Sequence, residues 1–169
     1  MFKQIMPKEN PDYAFLMSRF LDTGNPFQNG VTRLEDDLIY RGMKTVIDIF
    51  VKSVKKKLFV FVQTPEILPS NIEKIVENVK NGNDLVEFDK SFVLLNHTMA
   101  RMRYERLISE CDKCESIIYD SLFWNTTTKT WRFYDEKNSG LSYVTTAKHL
   151  SFHGLELVRP IFRDICNKV

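Results

Sequence analysis

Two carboxylates and a lysine stand where a hairpin would bring them together. Asp120 precedes a short aromatic run, and Asp135 and Lys137 follow the next one. If the intervening turn centres between Thr127 and Thr128, Asp120 faces Asp135, Leu122 faces Phe133 and Trp124 faces Trp131, all on one face. Two carboxylates beside a lysine can hold Mg²⁺ or Mn²⁺ and orient a water for attack on a phosphodiester. A second set of chemistry-bearing residues is Cys111-x-x-Cys114 with His149-x-x-x-His153. Two thiolates and two imidazoles are a tetrahedral Zn²⁺ donor set. The gap from Cys114 to His149 exceeds the roughly 12–15 residues of a compact finger. Both cysteines also continue an apolar stripe through Val93, His97, Ala100, Tyr104, Leu107 and Ile118, so buried packing is the competing expectation.

The spacing of Asp120, Asp135 and Lys137 resembles the Asp…(Asp/Glu)-x-Lys hairpin of the PD-(D/E)xK nucleases, viral cap-snatching endonucleases included. The resemblance implies Asp120 and Asp135 as metal ligands and Lys137 as the water-orienting cation. It covers about 18 residues, and Tyr119 stands where that family often has proline.

These residues need elements to carry them. Asn10-Pro11 and Gly24 bracket an expected helix over 11–21. A second helix starts near Leu34, with Glu35, Asp36 and Asp37 at its head and Lys52, Lys55, Lys56 and Lys57 at its end, where each sign favours the helix dipole. Leu58 to Val62 is an apolar, β-branched run and reads as a central strand. Ser70 and Glu73 form a capping box for a helix ending at Gly82. Leu85 to Phe88 reads as a strand, which makes 58–88 a βαβ-like unit. Asp89 to about Tyr119 reads as one long helix. Strands at 121–124, 130–134 and 141–145, separated by short polar turns, make a three-stranded antiparallel meander. Residues 147–167 form a terminal helix weakened by Gly154 and Pro160. The expected fold class is α+β, with a helical N-terminal half, and the expected domain is one, spanning 1–169.

Composition narrows the function classes. The chain has 169 residues, 43% of them hydrophobic and 27% charged, as folded globular chains do. A net charge of +2 is too small for charge alone to imply nucleic acid. No apolar run is long enough to span a bilayer, and no secretory leader opens the chain, so no membrane is expected. Three cysteines fit a reducing, cytoplasmic setting. Phosphate-cradling glycine loops, Gly-x-Ser-x-Gly and His-Glu-x-x-His are absent from the sequence. The leading expectation is therefore a small regulatory interaction protein that binds a protein partner without a cofactor. Its contact surface would be Phe123, Trp124, Trp131, Tyr134 and Tyr143 on the meander. Nucleic-acid binding without catalysis is the further alternative, through Lys52, Lys55, Lys56, Lys57, Arg101, Arg103 and Arg106.

Overall fold

The computed structural model describes residues 2–17, 22–92, 97–137, 140–146 and 149–169, with the side chains of 2–4 left aside. The chain forms two compact units, each built from two stretches: 1–63 with 96–118, and 64–95 with 119–169.

The first unit is a small α/β layer. A three-stranded sheet of order β1–β2–β3 joins Tyr13–Leu16, Lys57–Phe61 and Cys114–Ile117, and both pairings are parallel. A parallel sheet needs cover on its faces. Here α2 (Leu38–Ser53) and α5 (Thr98–Ser109) supply it on one side. Leu16, Leu58, Val60 and Val62 pack there against Met43, Ile47, Phe50, Tyr104 and Leu107. On the opposite face Phe15 stacks on Phe59 at 4.9 Å. α1 (Phe2–Glu9) lies against α2, and a 3-10 turn (Leu34–Asp36) leads into it. Asp37 caps α2, accepting from Ile39 N and Tyr40 N at 3.3 and 3.1 Å.

The second unit carries α3 (Pro69–Lys80), α4 (Leu85–Lys90), the single turn α6 (Asp120–Phe123) and α7 (Phe152–Cys166). Two short antiparallel pairs lie among them: β4 (Trp124–Asn125) with β5 (Thr130–Trp131), and β6 (Tyr134–Asp135) with β7 (Leu141–Ser142). Ile75, Phe88 and Tyr134 form one buried cluster.

This architecture corrects the expected fold in five places, the smallest being that α3 starts at Pro69 after Leu68, with no side-chain cap from Ser70. The stretch read as a helix over 11–21 is strand β1 as far as Leu16, with 18–21 outside the described residues. A four-residue apolar run has too little periodicity to separate the two states, and pairing with β2 decides it. Leu85 to Phe88 is helical, because Asp84 Oδ1 accepts from Val86 N at 2.8 Å and caps α4. The βαβ-like unit therefore does not form, and the parallel neighbour of β2 is the distant β3. The long helix from Asp89 to Tyr119 is replaced by α4, α5 and strand β3, with 93–96 outside the described residues. Lastly, the three-stranded meander is two separate pairs. Residues 120–123 coil into α6, and the backbone leaves extended pairing at Arg132 and Phe133.

Candidate functional site

The start of α7 concentrates the imidazoles of the second unit. Ser151 is the N-cap, extended at φ −72° and ψ 172°, and its Oγ accepts from Gly154 N at 3.0 Å. The same hydroxyl donates to Ser142 O at 2.7 Å, and Ser151 N donates to Tyr143 O at 2.9 Å. An isolated antiparallel bridge joins Val144 and Leu150. These bonds tie the helix start to the segment after β7. Gly154 is part of the same joint. A Cβ there would stand 2.1 Å from Tyr143 O, so the backbones approach as only glycine permits.

Two histidines flank this cap. His149 lies in the connection before α7 and is exposed. Its Nδ1 is 2.9 Å from Thr146 Oγ1, which also accepts from His149 N at 3.2 Å. Thr145 N donates to His149 O at 3.0 Å. The ring is thus held at one nitrogen. His153 lies in the first turn of α7. Its Nε2 is 2.9 Å from Asp135 Oδ2, and its ring stacks on Tyr143 at 5.4 Å. Asp135 Oδ1 accepts from Lys137 N at 2.9 Å. Burial, followed by the Asp135 charge, raises the Tyr143 hydroxyl above its ordinary pKa.

Beside this pair lies a cavity of about 420 Å³, lined by Trp124, Asn125, Arg132, Asp135, Lys137 and Tyr143. Phe123, Trp124, Tyr134 and Tyr143 give it an aromatic lining, and two of these rings pack on aromatics outside it. Trp124 and Trp131 meet edge to face at 5.3 Å, and Phe123 stacks on Phe133 at 5.2 Å. Arg132 is tied down twice, by Nε to Asp89 Oδ2 at 2.9 Å and by Nη1 to Glu136. Asp89 is buried, and that desolvation raises its pKa against the pull of Arg132.

The residues singled out from sequence fall as follows. Trp124 pairs with Trp131 in the expected register. The ladder stops there, because Asp120 opens α6 instead of extending the strand, so the register that would set Asp120 opposite Asp135 does not form. Lys137 lies in the turn after β6. Phe123 and Tyr134 are core residues at 1% exposure each, whereas Trp124, Trp131 and Tyr143 are half-buried.

Cys111 and Cys114 belong to the first unit and are joined to each other in a disulfide. His149 and His153 belong to the second unit and do not share a helix face, since α7 begins only at Phe152. No group of three or more metal-ligating side chains gathers among the described residues.

The basic residues are mostly committed. Lys52 is exposed at the end of α2, while Lys55 and Lys56 reach Asp12 at 3.8 and 3.0 Å. Lys57 reaches Glu115 at 3.2 Å, and Arg106 reaches Glu110 at 2.7 Å. Arg101 donates to Gln63 O at 3.0 Å. Arg103 is fully buried against Asp37.

Sequence reasoning missed the Asp135–His153 pair and the Thr146–His149 contact. The first spans 18 residues and has no local signature. The second had a readable signal, since Ser151 is a natural helix cap and placing the helix start there leaves His149 in the preceding loop.

Among the described residues no helix is long and apolar enough to cross a membrane. No curated protein and no solved structure matched the chain. A family model described as "SGNH domain (fused to AT3 domains)" matches residues 1–164. That match takes in both units and the whole histidine-bearing joint, and the chain belongs to this SGNH-domain family.

Proposed function

We propose that the chain is a hydrolase-type domain in which His149 acts as general base toward a hydroxyl attacking an ester-class carbonyl. The observation that carries this reading is the exposed His149 ring, held at Nδ1 by Thr146. A base must have one ring nitrogen fixed and the other open to the reacting proton. In the tautomer whose Nδ1–H donates to Thr146 Oγ1, the lone pair lies on Nε2 of the exposed ring. Membership of a family with a hydrolase-like fold supports the same class of chemistry. His153 is likewise fixed at one nitrogen, by Asp135, but its ring is stacked on Tyr143 and it is less exposed than His149. On this reading it is a positioning residue that holds the start of α7.

Thr146 is a neutral orienting group, and a hydroxyl stabilises an imidazolium less than a carboxylate does. The gain from His149 therefore lies at the lower end of the roughly 10²–10⁴-fold typical of general-base catalysis. The test is hydrolysis of a chromogenic acetate ester by the full chain. His149→Ala is expected to lower kcat by about 10²-fold, whereas Thr146→Asp is expected to raise it. A His149→Ala rate equal to that of the unaltered protein overturns the proposal.

A second reading, binding of a protein partner, has its own support. Phe152 is 77% exposed and Leu155 53% exposed on α7, a large apolar display for a free surface. That reading predicts a stable complex weakened by Phe152→Ser, with no ester turnover. The Cys111–Cys114 disulfide favours an oxidising compartment over the cytosol that the low cysteine count suggested.

A further inference from the structure

We propose that Cys111–Cys114 is a thiol–disulfide exchange site that reacts with a small peptide thiol, such as one of the glutathione class. The bridge spans a sequence separation of three, at the corner between α5 and β3. A ring closed over so few residues removes the least entropy from the unfolded chain, so it adds little as a staple. The corner is also held without it. Cys111 N donates to Ile108 O and Cys114 N to Cys111 O, each at 3.1 Å, and Leu58 N donates to Lys113 O at 2.9 Å. Lys113 Nζ donates to Val54 O at 2.7 Å. The dithiol form can therefore keep the same backbone, and opening the bond does not require unfolding.

The two cysteines differ in their surroundings, Cys114 packing against the core of the first unit. Both cysteines are half-buried, but Cys111 lines a cavity of about 260 Å³ and Cys114 does not. That volume admits a cysteinyl side chain with its flanking groups. Lys44, Lys113, Asp48, Glu110 and Asp112 share the lining; Lys44 pairs with Glu110 and Lys113 is bonded to Val54 O, which leaves Asp48 and Asp112 to meet the ammonium group of a small peptide. The incoming thiolate attacks Cys111 Sγ, the bond to Cys114 Sγ breaks, and Cys114 leaves as thiolate. A second thiol then attacks the external sulfur of the mixed disulfide. It releases the oxidised peptide disulfide and leaves Cys111 as thiolate, and the two thiolates take up protons from water. Two thiols are oxidised to one disulfide as one protein disulfide is reduced.

The exposed Cys166 would form mixed disulfides of its own, so the test uses the Cys166→Ser chain. This protein is incubated natively with reduced glutathione, and free thiols are counted by alkylation and intact mass. Near-complete reduction with an unchanged circular dichroism spectrum is expected. Reduction that proceeds only in denaturant overturns the proposal. Incubated with oxidised glutathione in the same Cys166→Ser background, the Cys114→Ser chain is expected to trap the adduct at Cys111 at least tenfold faster than Cys111→Ser traps one at Cys114. Equal rates overturn the assigned point of attack, and the reduction assay on the Cys166→Ser chain stands even if Cys111→Ser or Cys114→Ser fails to fold.

Discussion

Replacing Asp37 by Asn tests whether one buried ion pair organises the first unit. Asp37 and Arg103 have no exposed side-chain surface, and Arg103 Nε lies 2.6 Å from Asp37 Oδ2. Asp37 also caps α2 and accepts from Gln28 Nε2 at 3.1 Å. Arg103 Nη1 donates to Asn25 O at 2.8 Å and to Thr23 O, so the pair also anchors the loop ahead of α2. Asn keeps a capping oxygen but strands the guanidinium. Breaking a buried pair on one side costs about 3–5 kcal/mol, and two retained carbonyl partners place Asp37→Asn near about 3 kcal/mol. For a chain of this size that lowers Tm by roughly 6–12 °C. Arg103→Met should lie at the upper end, near about 5 kcal/mol, because it also strips the Thr23 and Asn25 carbonyls.

The pair should be non-additive. Asp37→Asn with Arg103→Met is expected to fall short of the summed losses by roughly 0.5–3 kcal/mol. Burial raises the Asp37 pKa, but Arg103, Gln28 and the Tyr40 amide together hold it below the ordinary value. A carboxylate so depressed contributes stability above its unfolded pKa of about 3.9, and that contribution is lost as pH falls through the lower folded value. The melting curves of wild type and Asp37→Asn should therefore converge in acid and stay apart at neutral pH. Thermal unfolding followed by far-UV circular dichroism reads this directly. A Tm loss below about 3 °C at neutral pH, or additive single losses, would refute the reasoning.

Two further perturbations probe the second unit. Gly154→Ala drives a methyl group against the Tyr143 carbonyl at 2.1 Å, which should cost at least about 1–3 kcal/mol and lower Tm in a thermal scan; an unchanged Tm contradicts the close approach. Asp89 has its pKa raised by burial, so its contribution is fully present below the unfolded value and is lost as pH rises through the folded one. Asp89→Asn should therefore lose less stability than wild type between acid and neutral pH, and parallel curves from denaturant titrations at several pH values would count against that account.

How much was legible depended on whether the decisive interaction was local. α2 could be read because its apolar residues recur at helical spacing over sixteen positions, and β2 because Leu58 to Val62 is an apolar, aromatic and β-branched run set between three lysines and the Thr64-Pro65 loop. β1 and β3 could not. Tyr13–Leu16 is ambiguous by itself, and Cys114–Ile117 extends a stripe that happens to fit a helix, so only parallel pairing with β2 resolves them. A parallel partner lies a crossover away in sequence, and no window of local periodicity reaches that far.

The candidate site divides along the same line. His149 could have been placed outside the helix by giving the capping preference of Ser151 more weight than the i,i+4 spacing of the histidines. The Asp135–His153 pair requires β6, β7 and α7 to be folded first. That asymmetry has a chemical consequence. His149 takes its orientation from Thr146, three residues away, so the proposed base is organised within its own loop. His153 takes its orientation from the fold. Disturbing the β6–β7 pair should therefore displace His153 before it displaces His149. In a Tyr134→Ala or Ser142→Ala chain, loss of the Asp135–His153 contact in the NMR spectrum should precede loss of ester turnover. Turnover lost first would move the proposed base from His149 to His153.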